Sequence, residues 1–116
     1  MPFDCRPDDF EPAVTDKEPM HIQVLRRAKY MIRWRWYWTK DTLACDRRGE
    51  SVDPCDSSAV RFCAYGTVVR AAHDLGAQKA DRDRALRHLG EDLERVNDEE
   101  GFRAVHRLFV TALDPY

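Results

Sequence analysis

Residues 57–76 read SSAVRFCAYGTVVRAAHDLG, and the spacing of their small and apolar members decides the fold. Ala59, Val60, Cys63, Ala64, Thr67, Val68, Ala71, Ala72 and Leu75 recur every three or four positions, the period of one helix face, and Gly76 supplies a C-terminal stop. The pattern predicts a helix over about 57–75, capped by Asp56 or Ser57, whose short side-chain oxygens satisfy orphan amides. A stripe this wide and this poor in large side chains belongs to a central, buried helix. Gly66 within it costs about 1 kcal/mol of helix propensity relative to Ala, which implies close approach of a neighbouring backbone or side chain.

Before this stretch, Asp53-Pro54 marks a turn, and residues 39–53 carry Thr42-Leu43-Ala44-Cys45, Arg47-Arg48-Gly49-Glu50 and Ser51-Val52, which predicts a hairpin around Gly49. Further upstream, Pro19 suits a first helical turn, and Val24, Leu25, Ala28, Met31 and Ile32 trace an amphipathic helix over about 19–35. Downstream, Ala85, Leu86, Leu89, Leu93 and Val96 predict a third helix over 81–96. Asn97-Asp98 breaks it, and Phe102, Val105, Leu108, Phe109, Ala112 and Leu113 trace a fourth, with Asp98 as its cap. The expectation is a mainly α, compact four-helix domain over 19–116, with a short β-hairpin between helices 1 and 2.

A chain of 116 residues is long enough for one core and too short for two. Charge is segregated along it. Residues 1–18 hold Asp4, Asp8, Asp9, Glu11, Asp16 and Glu18 among three prolines, against Arg6 and Lys17, and read as a poorly ordered acidic arm. Arg26, Arg27, Lys29, Arg33, Arg35 and Lys40 follow without an acidic residue between them, so the arm could cover this basic stretch until a partner displaces it. The net charge of -2 argues against coating nucleic acid through bulk charge, while leaving room for a local patch. No apolar run reaches the length of a membrane span and the N-terminus lacks the basic-then-apolar pattern of a signal peptide, so no membrane association and a cytoplasmic location are expected. In that reducing compartment Cys5, Cys45, Cys55 and Cys63 are expected to be free thiols.

Several segments resemble a family of small bacterial and phage proteins classed as a domain of unknown function. They are Val24-Leu25-Arg26-Arg27-Ala28, Gly49 with Val52-Asp53-Pro54, and Ala59-Val60-Arg61-Phe62-Cys63-Ala64-Tyr65-Gly66. Arg70-Ala71-Ala72, Val96-Asn97-Asp98, Gly101 and Val105 continue it. The Cys-Ala-x-Gly helix and the later Asn-Asp are its most specific parts. That family has Gly-Trp after the first helix, where this chain has Arg before Trp34 or Trp36. The resemblance implies one compact unit and no particular activity.

Cys63, His106 and Asn97 or Asp98 are the residue types of a cysteine hydrolase, in which a base raises the thiolate fraction and an amide or carboxylate orients the imidazole. Against this, Cys63 falls within the predicted helix on its apolar stripe, where a thiol acts as a small hydrophobe. His21, His73, His88 and His106 are scattered and the cysteines lack Cys-x-x-Cys spacing, so neither a metal site nor a cofactor is expected. No phosphate loop, dinucleotide glycine motif or His-Glu-x-x-His occurs. Binding is better represented. Arg33-Trp34-Arg35-Trp36-Tyr37-Trp38 interleaves cations with aromatics, the types enriched at interface hot spots and also suited to phosphate contact with base stacking. The leading expectation is a non-catalytic protein-interaction or regulatory protein with a protein partner and no set oligomeric state. The alternatives are a nucleic-acid-binding module using residues 26–40 and a cysteine-dependent enzyme.

Overall fold

The computed structural model describes residues 18–114 and 116. The expected acidic arm therefore lies, except for Glu18, outside the described residues. The described chain is mainly helical, with five helices and one small sheet. In order these are α1 (Met20–Met31), a 3₁₀ turn (Arg35–Tyr37), β1 (Ala44–Cys45), β2 (Arg61–Phe62), α2 (Ala64–Asp74), α3 (Lys79–Leu89), α4 (Leu93–Arg95), a π-helical turn (Val96–Glu100) and α5 (Phe102–Leu113). Among the described residues no helix is long and apolar enough to cross a membrane.

The expected hairpin forms in a different register. β1 pairs antiparallel with β2, Ala44 opposite Phe62 and Cys45 opposite Arg61, and only a single bridge joins Cys45 to Ser51 across the Gly49 turn. Arg61 and Phe62 were expected inside helix 2. The stripe runs on through Val60 and Cys63 on either side of them, yet they alternate exposed and buried, and pairing with β1 satisfies their backbone. Asp56 does not cap a helix at 57. Its carboxylate accepts the Ser58 amide at 2.8 Å in a local turn, which Arg70 of α2 holds through the Pro54 and Asp56 carbonyls at 2.9 and 3.0 Å.

The other departures have equally local causes. Helix 1 stops at Met31 instead of 35: Ile32 leaves helical geometry at φ -113° and ψ 33°, and Trp34 and Trp38 take extended backbone on either side of the 3₁₀ turn. The expected third helix is broken at Gly90, whose φ of 113° an L side chain rarely adopts. Beyond it α4 is one turn that widens into the π-helical turn, so Asn97 and Asp98 lie inside a helical segment instead of ending one. Gly101, at φ 90°, occupies the N-cap of α5 in place of Asp98.

Helices α1, α2 and α3 pack against one another, and α5 closes over α1 and α3. Ile22, Leu25, Ala28 and Ile32 of α1, Val68 and Ala71 of α2, Ala85 of α3, and Val105 and Phe109 of α5 meet in one core. The buried Thr67 hydroxyl donates to the Ala28 carbonyl at 3.0 Å, so the polar group within the α1–α2 contact is satisfied. The close approach implied at Gly66 is made by the Leu43 backbone: a Cβ at 66 would collide with the Leu43 carbonyl, which accepts the Cys63 amide at 3.1 Å. Gly66 thus lets the segment before β1 lie directly on the first turn of α2. Replacing Gly66 with Ala should destabilise the fold by about 3 kcal/mol despite the better helix propensity of Ala, because the obstacle is backbone. Urea unfolding of the two proteins at matched slope measures this, and a stabilised variant would contradict the packing described.

Candidate functional site

The site is organised by a buried amide. Asn97 is 1% exposed and uses its whole hydrogen-bonding capacity. Its Oδ1 accepts the Trp38 indole N–H at 2.7 Å and the Ala64 amide at 2.9 Å. Its Nδ2 donates to the Thr39 carbonyl at 3.2 Å and to Asp98 Oδ1 at 3.1 Å. The π-helical turn makes this possible, since its extra residue lets Val96 and Asn97 both face inward. Ala64 begins α2, so Asn97 satisfies one of the orphan amides that open that helix. A neighbouring one, Gly66 N–H, donates to Cys63 Sγ at 3.2 Å.

Cys63 is therefore the N-cap of α2, not a residue within the helix as its spacing suggested. It lies at the floor of a cleft of about 360 Å³ walled by Asp41, Thr42, Leu43, Tyr65, Glu94, Asn97 and Asp98. A helix N-terminus favours thiolate, yet three influences act on this thiol. Burial pushes its pKa up from the ordinary 9.0 and outweighs the Gly66 and Tyr65 amides that pull it down; the Asp98 and Glu94 carboxylates push it up further. The thiol is neutral near pH 7. Asp98 also accepts the Asp41 amide at 3.1 Å, fixing the one non-glycine residue at positive φ among the described residues.

His106 does not line this cleft. Its Nε2 lies 2.8 Å from the Ile32 carbonyl at the end of α1, and its ring packs 4.6 Å from that of Phe102. The structure brings Asp98 beside Cys63 and leaves His106 elsewhere, so among the described residues that line the cleft there is no imidazole to take a proton from the thiol. Among the described residues no group of three or more His, Cys, Asp or Glu side chains is arranged to hold a metal ion.

On the other side of the Trp38–Asn97 bond lies the basic aromatic segment, and its three tryptophans divide. Trp38 is partly buried, hydrogen-bonded to Asn97 and set edge-on to Phe102 at 6.0 Å, so it belongs to the scaffold. Trp36 is 60% exposed. It stacks nearly parallel on the partly buried Trp34, with 5.2 Å between ring centroids and 7° between planes, and leans against Tyr37. Arg33 covers the Tyr30 ring at 4.0 Å and donates to the Tyr30 carbonyl at 2.9 Å. Arg35 is exposed, its guanidinium 5.4 Å from the Phe102 ring. Two other cations of the segment meet carboxylates: Arg26 grips Glu18 with Nε and Nη2 at 2.8 Å, and Arg27 lies 3.9 Å from Asp74.

Sequence reasoning took Asn97 for a helix stop and missed that it joins both regions. The one available signal was an amide residue between two apolar helical patterns, and only the π-helical turn decides which way it points.

The model of a family of unknown function, DUF6197, matches residues 17–113, in agreement with the resemblance to a domain of unknown function seen from about residue 20 onward. No curated protein and no solved structure matches the chain.

Removing the Asn97 side chain strands two donors and a carbonyl, so Asn97→Ala should cost about 3 kcal/mol of unfolding free energy. A loss below about 1 kcal/mol in denaturant titration would contradict its central place. The neutral, covered thiol predicts that iodoacetamide labels Cys63 in the native chain at least about tenfold more slowly than in denaturant at the same pH. Peptide mapping by mass spectrometry resolves Cys63 from the other cysteines, and equal rates would restore the case for a reactive thiol.

Proposed function

The chain belongs to that family, which brings no activity with it, and we propose that it is a small non-catalytic protein-interaction module whose contact surface is the turn at Arg33–Trp38. The observation that carries this reading is Trp36, 60% exposed and stacked on Trp34. An indole so exposed leaves apolar area in water, at about 25 cal/mol for each Å² that a partner could cover. The platform is also ordered before any partner arrives. Tyr37 and Trp38 amides bond the Trp34 and Arg35 carbonyls at 3.0 and 3.1 Å, and the Thr39 amide bonds Phe62 at 3.1 Å. Little backbone entropy remains to be lost there on association. A protein partner suits this combination, because Trp and Arg on a rigid support are what interface hot spots consist of.

The cysteine-enzyme reading loses support from the neutral thiol and the distant His106. Nucleic acid is disfavoured by the carboxylates that neutralise Arg26 and Arg27, although it uses the same rings.

Selection from a displayed peptide library on the immobilised full chain, repeated on Trp36→Ala, tests the proposal. Enrichment of a peptide set by the natural chain and its loss on the variant, with an unchanged unfolding midpoint, is the expected result. Equal enrichment by both, or no enrichment alongside binding of an oligonucleotide, would overturn it.

A further inference from the structure

We propose that the occupant of the Trp36 surface is an acidic segment of a partner protein, with carboxylates on Arg35 and Lys40 and an apolar side chain laid on the Trp36 indole. This rests on the reading of that turn as an interaction surface and adds the chemistry of what binds there. Among the described residues, positive charge is left uncompensated around this turn. Residues 26–40 contain six cations and no acid. The fold neutralises the two nearest the start of α1, Arg26 by Glu18 and Arg27 by Asp74. Towards the exposed indole the pattern changes. Arg33 lies on Tyr30 and Tyr37, with Nε buried and without an acceptor, and Arg35 lies on Phe102. A ring holds a guanidinium in place through its quadrupole and does not cancel its charge. Among the described residues no carboxylate pairs with Arg35, the residue just before Trp36, or with the exposed Lys40, four residues after it.

Glu18 shows how this face takes a carboxylate. Its two oxygens accept from Nε and Nη2 of Arg26 at 2.8 Å each, a two-point grip that draws its pKa below the ordinary 4.5. Arg35 offers the same fork next to Trp36 in the chain. The geometry of the surroundings then separates a protein ligand from a nucleic acid. The positive region ends at Lys40, since Asp41 opens the cleft that Glu94 and Asp98 also line. A phosphate backbone carries charge at every step and would run from the patch onto these carboxylates. An acidic protein segment can place two or three carboxylates within the patch and continue as neutral chain.

The test uses three synthetic peptides of equal length with one Phe each, acidic, neutral and basic, titrated into the full chain while Trp fluorescence is followed. The acidic peptide should bind at least about tenfold more tightly than the neutral one, with the margin collapsing near 0.3 M salt. Arg35→Glu combined with Lys40→Glu should abolish the preference while leaving the unfolding midpoint unchanged. Trp36→Ala should weaken all peptides that bind. Equal or tighter binding of the neutral or basic peptide through Trp36 would overturn the acidic partner and leave the interaction surface standing. If no peptide responds to Trp36→Ala, the reading of the surface fails and this proposal with it. Tighter binding of a single-stranded oligonucleotide than of the acidic peptide would assign the surface to nucleic acid.

Discussion

Four hydrogen bonds to one amide side chain tie three pieces of this chain to a single point. Asn97 is buried, so each polar atom of its side chain must find a partner or cost the fold free energy. The partners it finds are the Trp38 indole, the Thr39 carbonyl, the first amide of α2 and the neighbouring Asp98. The aromatic turn, the helix that opens the core and the π-helical turn are thereby fixed relative to one another. No apolar contact could set this geometry, because dispersion lacks the direction that a 2.7 Å bond to an indole N–H imposes.

The consequences divide the surface by sign. On one side of the amide the chain exposes Trp36 among arginines whose charges rest on rings. On the other, Asp41, Glu94 and Asp98 surround a cleft over a capped cysteine. The carboxylates and the burial that keep the Cys63 thiol neutral act against a nucleophile, and the same thiol is well suited to closing a helix end. The aromatic side has the opposite character: a large apolar ring is left in water on a support that does not move to accommodate it.

Much of the helical framework was legible from apolar spacing, because the stripe through Ala64, Val68, Ala71 and Ala72 and the one through Val105 and Phe109 are wide and regular. Gly66 was legible as a point of close approach, though only the fold names Leu43 as what approaches. The start of α2 was not legible. Val60 and Cys63 continue the helical spacing of the stripe, yet Arg61 and Phe62 between them pair as a strand, and that choice depends on β1, fifteen residues and more upstream. Gly90 was visible in the sequence and lost to the strong pattern running through Leu89 and Leu93. The candidate site was half legible: residue type singled out Trp36 and Arg35, whereas the split between a scaffold Trp38 and an exposed Trp36 needs the hydrogen bond to Asn97, a residue that stands 59 positions away from Trp38.

That separation bears on how the surface is held. Bonds from Asn97 reach back 59, 58 and 33 residues, and each closes a loop whose entropy must be met before the bond forms. The i→i+3 bonds of the aromatic turn close locally, whereas the seat of the Trp38 indole on Asn97 exists only when residues 96–100 are packed against it. A fraying of residues 96–100 would release the Trp38 indole without touching Trp34 or Trp36. The end of the aromatic turn is thus held in place by a residue from the opposite end of the domain.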